Sequence, residues 1–283
     1  MSRSLLVAAS LEEALGELAD GARPVAGGTD LVVGARQGKA PLPERLVAIH
    51  RLAELDSVKE VDGFLHVGAG ATHARIVGDP FISSTFTALA DASAIVGSHA
   101  TRAQGTIGGN VMNASPAADT VAPLICFGAS LRLRSRSSAR TVPVDGFATG
   151  PGATCAAPDE LLEAIEIPIP GAGVGSAYLR LEYRRQMEIA VVGVAALIRL
   201  DGAQVADAKI AITALAPTVR RVPEAEQLLI GSPGDDDTLT AVAAAVTAAS
   251  KPISDVRASA AYRSAMAGVI GRRAVITALE RAR

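Results

Sequence analysis

The sequence predicts an α+β fold: an α/β N-terminal part followed by a C-terminal domain of antiparallel sheet and helices. Three observations carry this. Short apolar strands alternate with helical stretches up to Ile165-Glu166-Ile167-Pro168. A cluster of prolines with Gly171, Gly173 and Gly175 then reads as a linker. Beyond it, two long apolar runs meet at Asp201-Gly202, a hairpin turn, ahead of Ala-rich helical stretches.

In chain order, Ser10 precedes Leu11-Glu12-Glu13-Ala14-Leu15, and Glu13 lies three residues on, which is a capping-box helix start. Gly21 supplies the stop. The apolar Pro24-Val25-Ala26 runs into Gly27-Gly28, and Leu31-Val32-Val33 resumes after Thr29-Asp30, so the glycines form a turn between a strand and the next element. A second strand, Leu46-Val47-Ala48-Ile49, completes a small α/β unit. From Phe64-Leu65-His66-Val67-Gly68 the spacing changes, which divides the chain into residues 1–54, 55–171 and 172–283. Residues 189–200 read as a buried strand and 205–215 as its hairpin partner, with helices over 241–249 and 258–279. Arg132, Arg134 and Arg136 alternate with Leu131 and Leu133, so the guanidinium groups share one strand face. A solvated face is the simpler reading of that row, and a docking patch for an acidic partner the alternative.

Composition narrows the function. The chain has 283 residues, 49% hydrophobic, with Lys+Arg 27 against Asp+Glu 29, so no global field draws it to nucleic acid or an anionic membrane. No apolar stretch approaches bilayer length and the opening run is too short for a signal peptide, so a cytoplasmic location is expected. The two cysteines, Cys126 and Cys155, cannot form a four-thiolate iron–sulfur site, and Cys126 within Leu124-Ile125-Cys126-Phe127 reads as a buried structural thiol. The four histidines have no Ser/Asp or metal partners at convincing spacing, so neither catalytic nor metal residues are expected. Gly68-x-Gly70 lacks the third glycine of a dinucleotide fingerprint, with His73 in its place, and His73 reads as structural.

Two glycine pairs remain: Ala26-Gly27-Gly28-Thr29-Asp30 and Thr106-Ile107-Gly108-Gly109-Asn110. Glycines permit tight turns and close approach to a ligand, consecutive N–H groups can face anionic oxygens, and the Thr hydroxyl adds a donor. Two such loops on separate lobes could clamp one diphosphate from both sides, although either pair alone is equally an ordinary turn.

With their flanks, these segments resemble the FAD-binding medium subunits of the xanthine dehydrogenase and carbon monoxide dehydrogenase group. The matches are Arg23-Pro24-Val25-Ala26-Gly27-Gly28-Thr29-Asp30-Leu31, Arg102-Ala103-Gln104-Gly105-Thr106-Ile107-Gly108-Gly109-Asn110, and Ser115-Pro116-Ala117-Ala118-Asp119. Gly68-Ala69-Gly70-Ala71-Thr72-His73, Arg184-Arg185 with Glu188-Ile189-Ala190, and residues 252–263 extend them over nearly the whole chain. Two departures stand out: Ala103 replaces the Asn common after the Arg, and Ile189 stands where carbon monoxide dehydrogenase relatives carry an aromatic beside the flavin.

The resemblance implies a two-lobed FAD-binding fold of the vanillyl-alcohol-oxidase (PCMH) type over 1–54 and 55–171, with a C-terminal flavoprotein domain over 172–283. It implies that Ala26, Gly27, Gly28, Thr29, Asp30, Thr106, Ile107, Gly108, Gly109 and Asn110 hold the FAD diphosphate, and that Asp119 accepts a hydrogen bond from a sugar or ribityl hydroxyl. It further implies an electron-transfer subunit of a molybdenum hydroxylase. The molybdenum cofactor would sit on a large partner subunit and the [2Fe-2S] clusters on a small one, with NAD, quinone or oxygen as acceptor, in a dimer of heterotrimers. Two other readings share the fold: a self-sufficient reductase of the enolpyruvyl-reductase type, and a flavin-free assembly subunit. The first needs its own proton donor, and no Ser/Glu pair supplies one; against the second stand the intact glycines of both loops.

Overall fold

The computed structural model describes residues 3–283. The N-terminal unit comprises β1 (Ser4–Val7), α1 (Leu11–Ala19), β2 (Arg23–Val25), α2 (Leu31–Arg36) and β3 (Arg45–Ala48), with a parallel sheet ordered β1-β3-β2. The capping box forms: Ser10 Oγ accepts the Glu13 N–H at 3.1 Å, and the Glu13 carboxylate accepts the Ala9 N–H at 2.6 Å. Helix α1 buries Leu11, Ala14, Leu15 and Leu18 in one core with Val47 and Ile49. The opening apolar run is strand β1, too short for its pattern to register alone, and the element that resumes at Leu31-Val32-Val33 after the glycine turn is helix α2.

A 3-10 turn (Ala53–Leu55) leads to the middle unit. Its elements are β4 (Val58–Val61), β5 (Phe64–Gly68), α3 (His73–Gly78), α4 (Pro80–Thr85), α5 (Thr87–Ala94), α6 (His99–Arg102), α7 (Ile107–Met112), α8 (Val121–Cys126), β6 (Ser130–Arg134), β7 (Ala139–Pro143), β8 (Ala148–Gly150), β9 (Ala153–Thr154) and β10 (Leu161–Pro168). Five strands form an antiparallel sheet ordered β4-β5-β10-β6-β7. The alternation on β6 holds: Leu131 and Leu133 are fully buried, while Arg132 and Arg134 reach Glu163 at 3.1 and 3.5 Å. Arg132 and Arg134 are thus ion-paired on an open face, Arg136 lies beyond the end of β6, and Cys126 is buried as read.

The C-terminal unit comprises β11 (Val174–Leu181), β12 (Val192–Asp201), β13 (Gln204–Thr213), β14 (Arg220–Arg221), α9 (Pro223–Leu229), α10 (Asp236–Ala249) and α11 (Ala260–Ala282), with an antiparallel sheet in that strand order. Its two faces divide the labour. Val194, Ala196, Ile198, Ile210 and Ile212 pack under α10 and α11. Tyr178, Ala195, Leu197 and Ala211 join the core of the middle unit. Each fully buried large aliphatic contributes roughly 1.5–3 kcal/mol, so the sheet is fastened on both sides.

Gly175, read as linker, lies inside β11. A Cβ there would stand 2.2 Å from Ala278 O and 2.3 Å from Ala282 N, so the glycine admits the backbone of α11. The strand expected from residue 189 begins at Val192, because residues 182–191 form a loop. Polar contacts complete the junction: the Thr87 hydroxyl donates to Ser176 O at 2.6 Å, and Arg281 bridges Asp91 and Ser176 O. Among the described residues, no helix is long and apolar enough to cross a membrane.

Candidate functional site

The turn after β2 and the turn entering α7 meet although they belong to different sheets. A Cβ on Gly27 would stand only 1.9 Å from Gln104 O, so the first loop lies directly on the lead-in to the second. Gly105 in turn faces Thr29: a Cβ on Gly105 would lie 3.5 Å from Thr29 Oγ1 and 3.4 Å from His73 Cδ2. The His73 N–H donates to Gly105 O at 3.0 Å, tying α3 to the same point. His73 is buried, and burial followed by the nearby Arg102 charge pushes its imidazole down to about 4, so it is neutral near pH 7.

The backbone donors of the two loops are in opposite states. Among the described residues, the N–H groups of Gly27, Gly28, Thr29 and Asp30 donate to no protein atom, while Gly28 O and Asp30 O accept from Val32 and Gly34. Gly28 has φ 67°, a left-handed conformation that favours glycine and turns successive amides outward. Half-buried unpaired amides of this kind call for an acceptor. Burial raises the Asp30 carboxyl above its usual range, with Lys39 opposing.

In the second loop, Ile107 N–H donates to Ala71 O at 3.0 Å, Gly108 N–H to Ala69 O at 2.9 Å, and Gly109 N–H to Thr106 Oγ1 at 3.0 Å. Asn110 N–H donates to Thr106 O, and Asn110 Oδ1 accepts from the Thr120 hydroxyl at 2.7 Å. What stays free is the Thr106 backbone N–H, the Thr106 hydroxyl proton and the Asn110 side-chain amide. The two loops therefore offer different donors: the first a run of four backbone amides, the second one backbone amide at Thr106 beside its hydroxyl and the Asn110 side-chain amide.

The glycines also differ from expectation. Gly27 is required by Gln104, Gly28 by its φ, and Gly108 by Ala69, whose Cβ would lie 2.5 Å from a Cβ at 108. A Cβ on Gly109 would meet only the Thr106 hydroxyl oxygen, at 3.0 Å, and Gly109 has no left-handed φ. Intact glycines thus follow from packing as well as from ligand approach, and they do not by themselves argue against a flavin-free scaffold; the unpaired amides do. Gly68 and Gly70 likewise admit the Leu55 backbone, where added Cβ atoms would lie 2.2 and 2.9 Å from Leu55 O.

Asp119, third of the expected regions, is buried at the end of a loop that starts with Ala114 at φ 46°. Its carboxylate accepts from Tyr178 Oη at 2.7 Å and from Arg180 Nη1 at 2.8 Å. Burial pushes Asp119 up to about 6, against Arg180 and Tyr178, which hold it down. Sequence reasoning missed Tyr178, Arg180 and Glu182. Tyr178 and Arg180 alternate onto one face of β11 and Glu182 follows at its end, a signal hidden by reading the adjacent glycines as a linker. Ala103 and Ile189 are exposed, Ile189 in the 182–191 loop where Met187 N–H donates to Gly97 O.

Two family models match the chain: the FAD binding domain in molybdopterin dehydrogenase over residues 1–170, and the CO dehydrogenase flavoprotein C-terminal domain over residues 177–278. The chain is 34% identical over 269 residues to the carbon monoxide dehydrogenase medium chain of Afipia carboxidovorans, covering 95% of this chain and 93% of that protein. It is 34% identical over 260 residues to a xanthine dehydrogenase FAD-binding subunit of Escherichia coli O157:H7, covering 90% of this chain and 89% of that one. Among solved structures, a chain of the Cu,Mo-CO dehydrogenase superposes with TM-score 0.95 at 32% identity, covering 99% of each chain. A chain of quinoline 2-oxidoreductase from Pseudomonas putida 86 does so with TM-score 0.93 at 29% identity, covering 100% of this chain and 98% of that one.

Proposed function

The chain belongs to the medium, FAD-binding subunits of the molybdenum hydroxylase family, and from that membership we propose how its residues hold the flavin and what it works with. It is an electron-transfer subunit of an oxidoreductase and binds FAD. The site residues are those of the two loops and Asp119. Ala26, Gly27, Gly28, Thr29 and Asp30 line the diphosphate, the last four presenting their unpaired amides to it. Thr106, Ile107, Gly108, Gly109 and Asn110 form the opposite wall, contributing the Thr106 hydroxyl and the Asn110 amide, and Asp119 accepts a hydroxyl of the sugar or ribityl chain. The observation that carries this reading is the run of free N–H groups at Gly27–Asp30, beside a second loop pressed to within backbone contact of it. Uncharged donors suit a diphosphate whose redox-active ring lies at the far end of the molecule.

Bound FAD supplies electron exchange between the iron–sulfur clusters of a partner chain and an acceptor such as NAD, a quinone or oxygen. The chain's own part is to bind and orient the flavin, without an acid or base of its own. Residues 1–54 and 55–171 serve as the two FAD lobes and 172–283 as the C-terminal flavoprotein domain. A large molybdenum-cofactor subunit and a small [2Fe-2S] subunit complete the unit, which assembles as a dimer of heterotrimers in the cytoplasm. The carbon monoxide dehydrogenase relatives, named as medium chains, support such partners. The match of residues 177–278 to the flavoprotein C-terminal domain favours this reading over a self-sufficient reductase.

The test is to purify the chain from its native host with whatever accompanies it, release and identify the chromophore, and assay molybdenum and iron. One FAD per chain with molybdenum and iron on co-purifying larger and smaller chains is expected. FAD on a solitary, metal-free chain active with NADPH would contradict the partnership.

A further inference from the structure

We infer that the C-terminal sheet, rather than either FAD lobe, sets the orientation of the Asp119 carboxylate, with Tyr178 and Arg180 as positioning residues and Gly193 making room for them. The inference rests on the reading that Asp119 accepts a hydroxyl of the bound dinucleotide.

Both carboxylate oxygens are gripped from the same strand. Tyr178 Oη donates to Oδ1 at 2.7 Å and Arg180 Nη1 to Oδ2 at 2.8 Å. The Arg180 side chain is wholly buried, and its other nitrogens are engaged by Ile95 O at 3.1 Å and by the Glu182 carboxylate, so it is held in one place. Each Asp119 oxygen retains a lone pair, and a ligand hydroxyl is the donor that could fill it.

The loop behind Asp119 is shaped from the same sheet. The Thr213 hydroxyl lies 2.9 Å from Pro116 O and 3.2 Å from Ala118 O, and the Ala214 N–H donates to Pro116 O at 2.7 Å. On β12 between them, a Cβ on Gly193 would stand 2.3 Å from Tyr178 Oη and 2.4 Å from Thr213 Cγ2. The missing side chain at 193 therefore opens the space in which both hydroxyls work. A latch that merely joined the domains would need neither a donor on each carboxylate oxygen nor this clearance.

The charged and titratable groups facing Asp119 are Arg180, Tyr178 and Glu182. Removing the Tyr178 hydroxyl deletes a bond to the ionised carboxylate and so raises the pH at which Asp119 protonates. The experiment uses the full chain, stripped of FAD and re-titrated with FAD from pH 5 to 8, following flavin fluorescence alongside thermal melting of the FAD-free protein. Tyr178→Phe is expected to bind FAD about tenfold more weakly at pH 7, with the acid limb of its affinity profile moved to higher pH and the FAD-free protein still melting cooperatively, a few degrees lower. Arg180→Lys, which keeps a charge, should recover most of the affinity that Arg180→Met loses. If Asp119→Asn weakens FAD binding while Tyr178→Phe keeps wild-type affinity and profile, the positioning role is overturned and Asp119 as a ligand stands. If Asp119→Asn leaves FAD affinity unchanged, both fall.

Discussion

The loops at Gly27-Gly28 and Gly108-Gly109 share a sequence signature and differ in how their backbone amides are employed. In the first, four consecutive N–H groups have no protein acceptor. In the second, Ile107, Gly108 and Gly109 donate to Ala71 O, Ala69 O and Thr106 Oγ1. A glycine pair therefore does not announce an anion cradle; the donor accounting does. On the reading proposed above, the first loop is completed by a ligand. The second has its Ile107–Gly109 amides already satisfied and is fixed to the chain after β5, and the first is held against it.

The comparison breaks most readily at Gly27. Gly27→Ala forces a Cβ into Gln104 O and parts the loops, so FAD affinity should fall by about 1000-fold as two or more charge-assisted bonds are lost, measured by FAD titration. Gly108→Ala drives into Ala69 instead and should act first on the fold, lowering stability by about 3 kcal/mol in urea unfolding of the FAD-free chain.

Acid should loosen the second loop too. His73, held neutral by burial and by Arg102, stays unprotonated in the fold down to about 4, whereas the unfolded chain takes up the proton near 6.5. Its contribution to stability is complete above pH 6.5 and is lost as pH falls from there to about 4. His73→Gln should flatten that part of the stability profile. The mildest change is Gly109→Ala, at the one glycine of the four that has an ordinary φ and whose added Cβ would meet only a side-chain hydroxyl, Thr106 Oγ1 at 3.0 Å. Stability should stay within about 0.5 kcal/mol while FAD affinity drops about tenfold. An equal loss of stability at 108 and 109 would contradict the division between packing and ligand-facing glycines.

Legibility in the sequence followed the range of the interactions. The Ser10/Glu13 capping box, the Asp201-Gly202 hairpin and the Arg/Leu alternation of β6 are written within a few residues, and each formed as read. Strand β11 was hidden because Gly175 serves the backbone of α11, about a hundred residues later in the chain. The same distance in sequence concealed the partners of Asp119, which lie 59 and 61 residues beyond it. Motif reading found which loops form the candidate site. It could not find which amides are free, because Ala69 and Ala71 become acceptors only once β5 and α7 are packed.

The account turns on amides that await an acceptor at Gly27–Asp30 and amides already satisfied at Ile107–Gly109. Residue-resolved amide hydrogen exchange on the full chain, without FAD and after its addition, tests this directly. Gly27–Asp30 should exchange rapidly without FAD and become protected on its addition, while Ile107–Gly109 should be protected in both states. Protection that appears on FAD addition at Ile107–Gly109 and not at Gly27–Asp30 would contradict it.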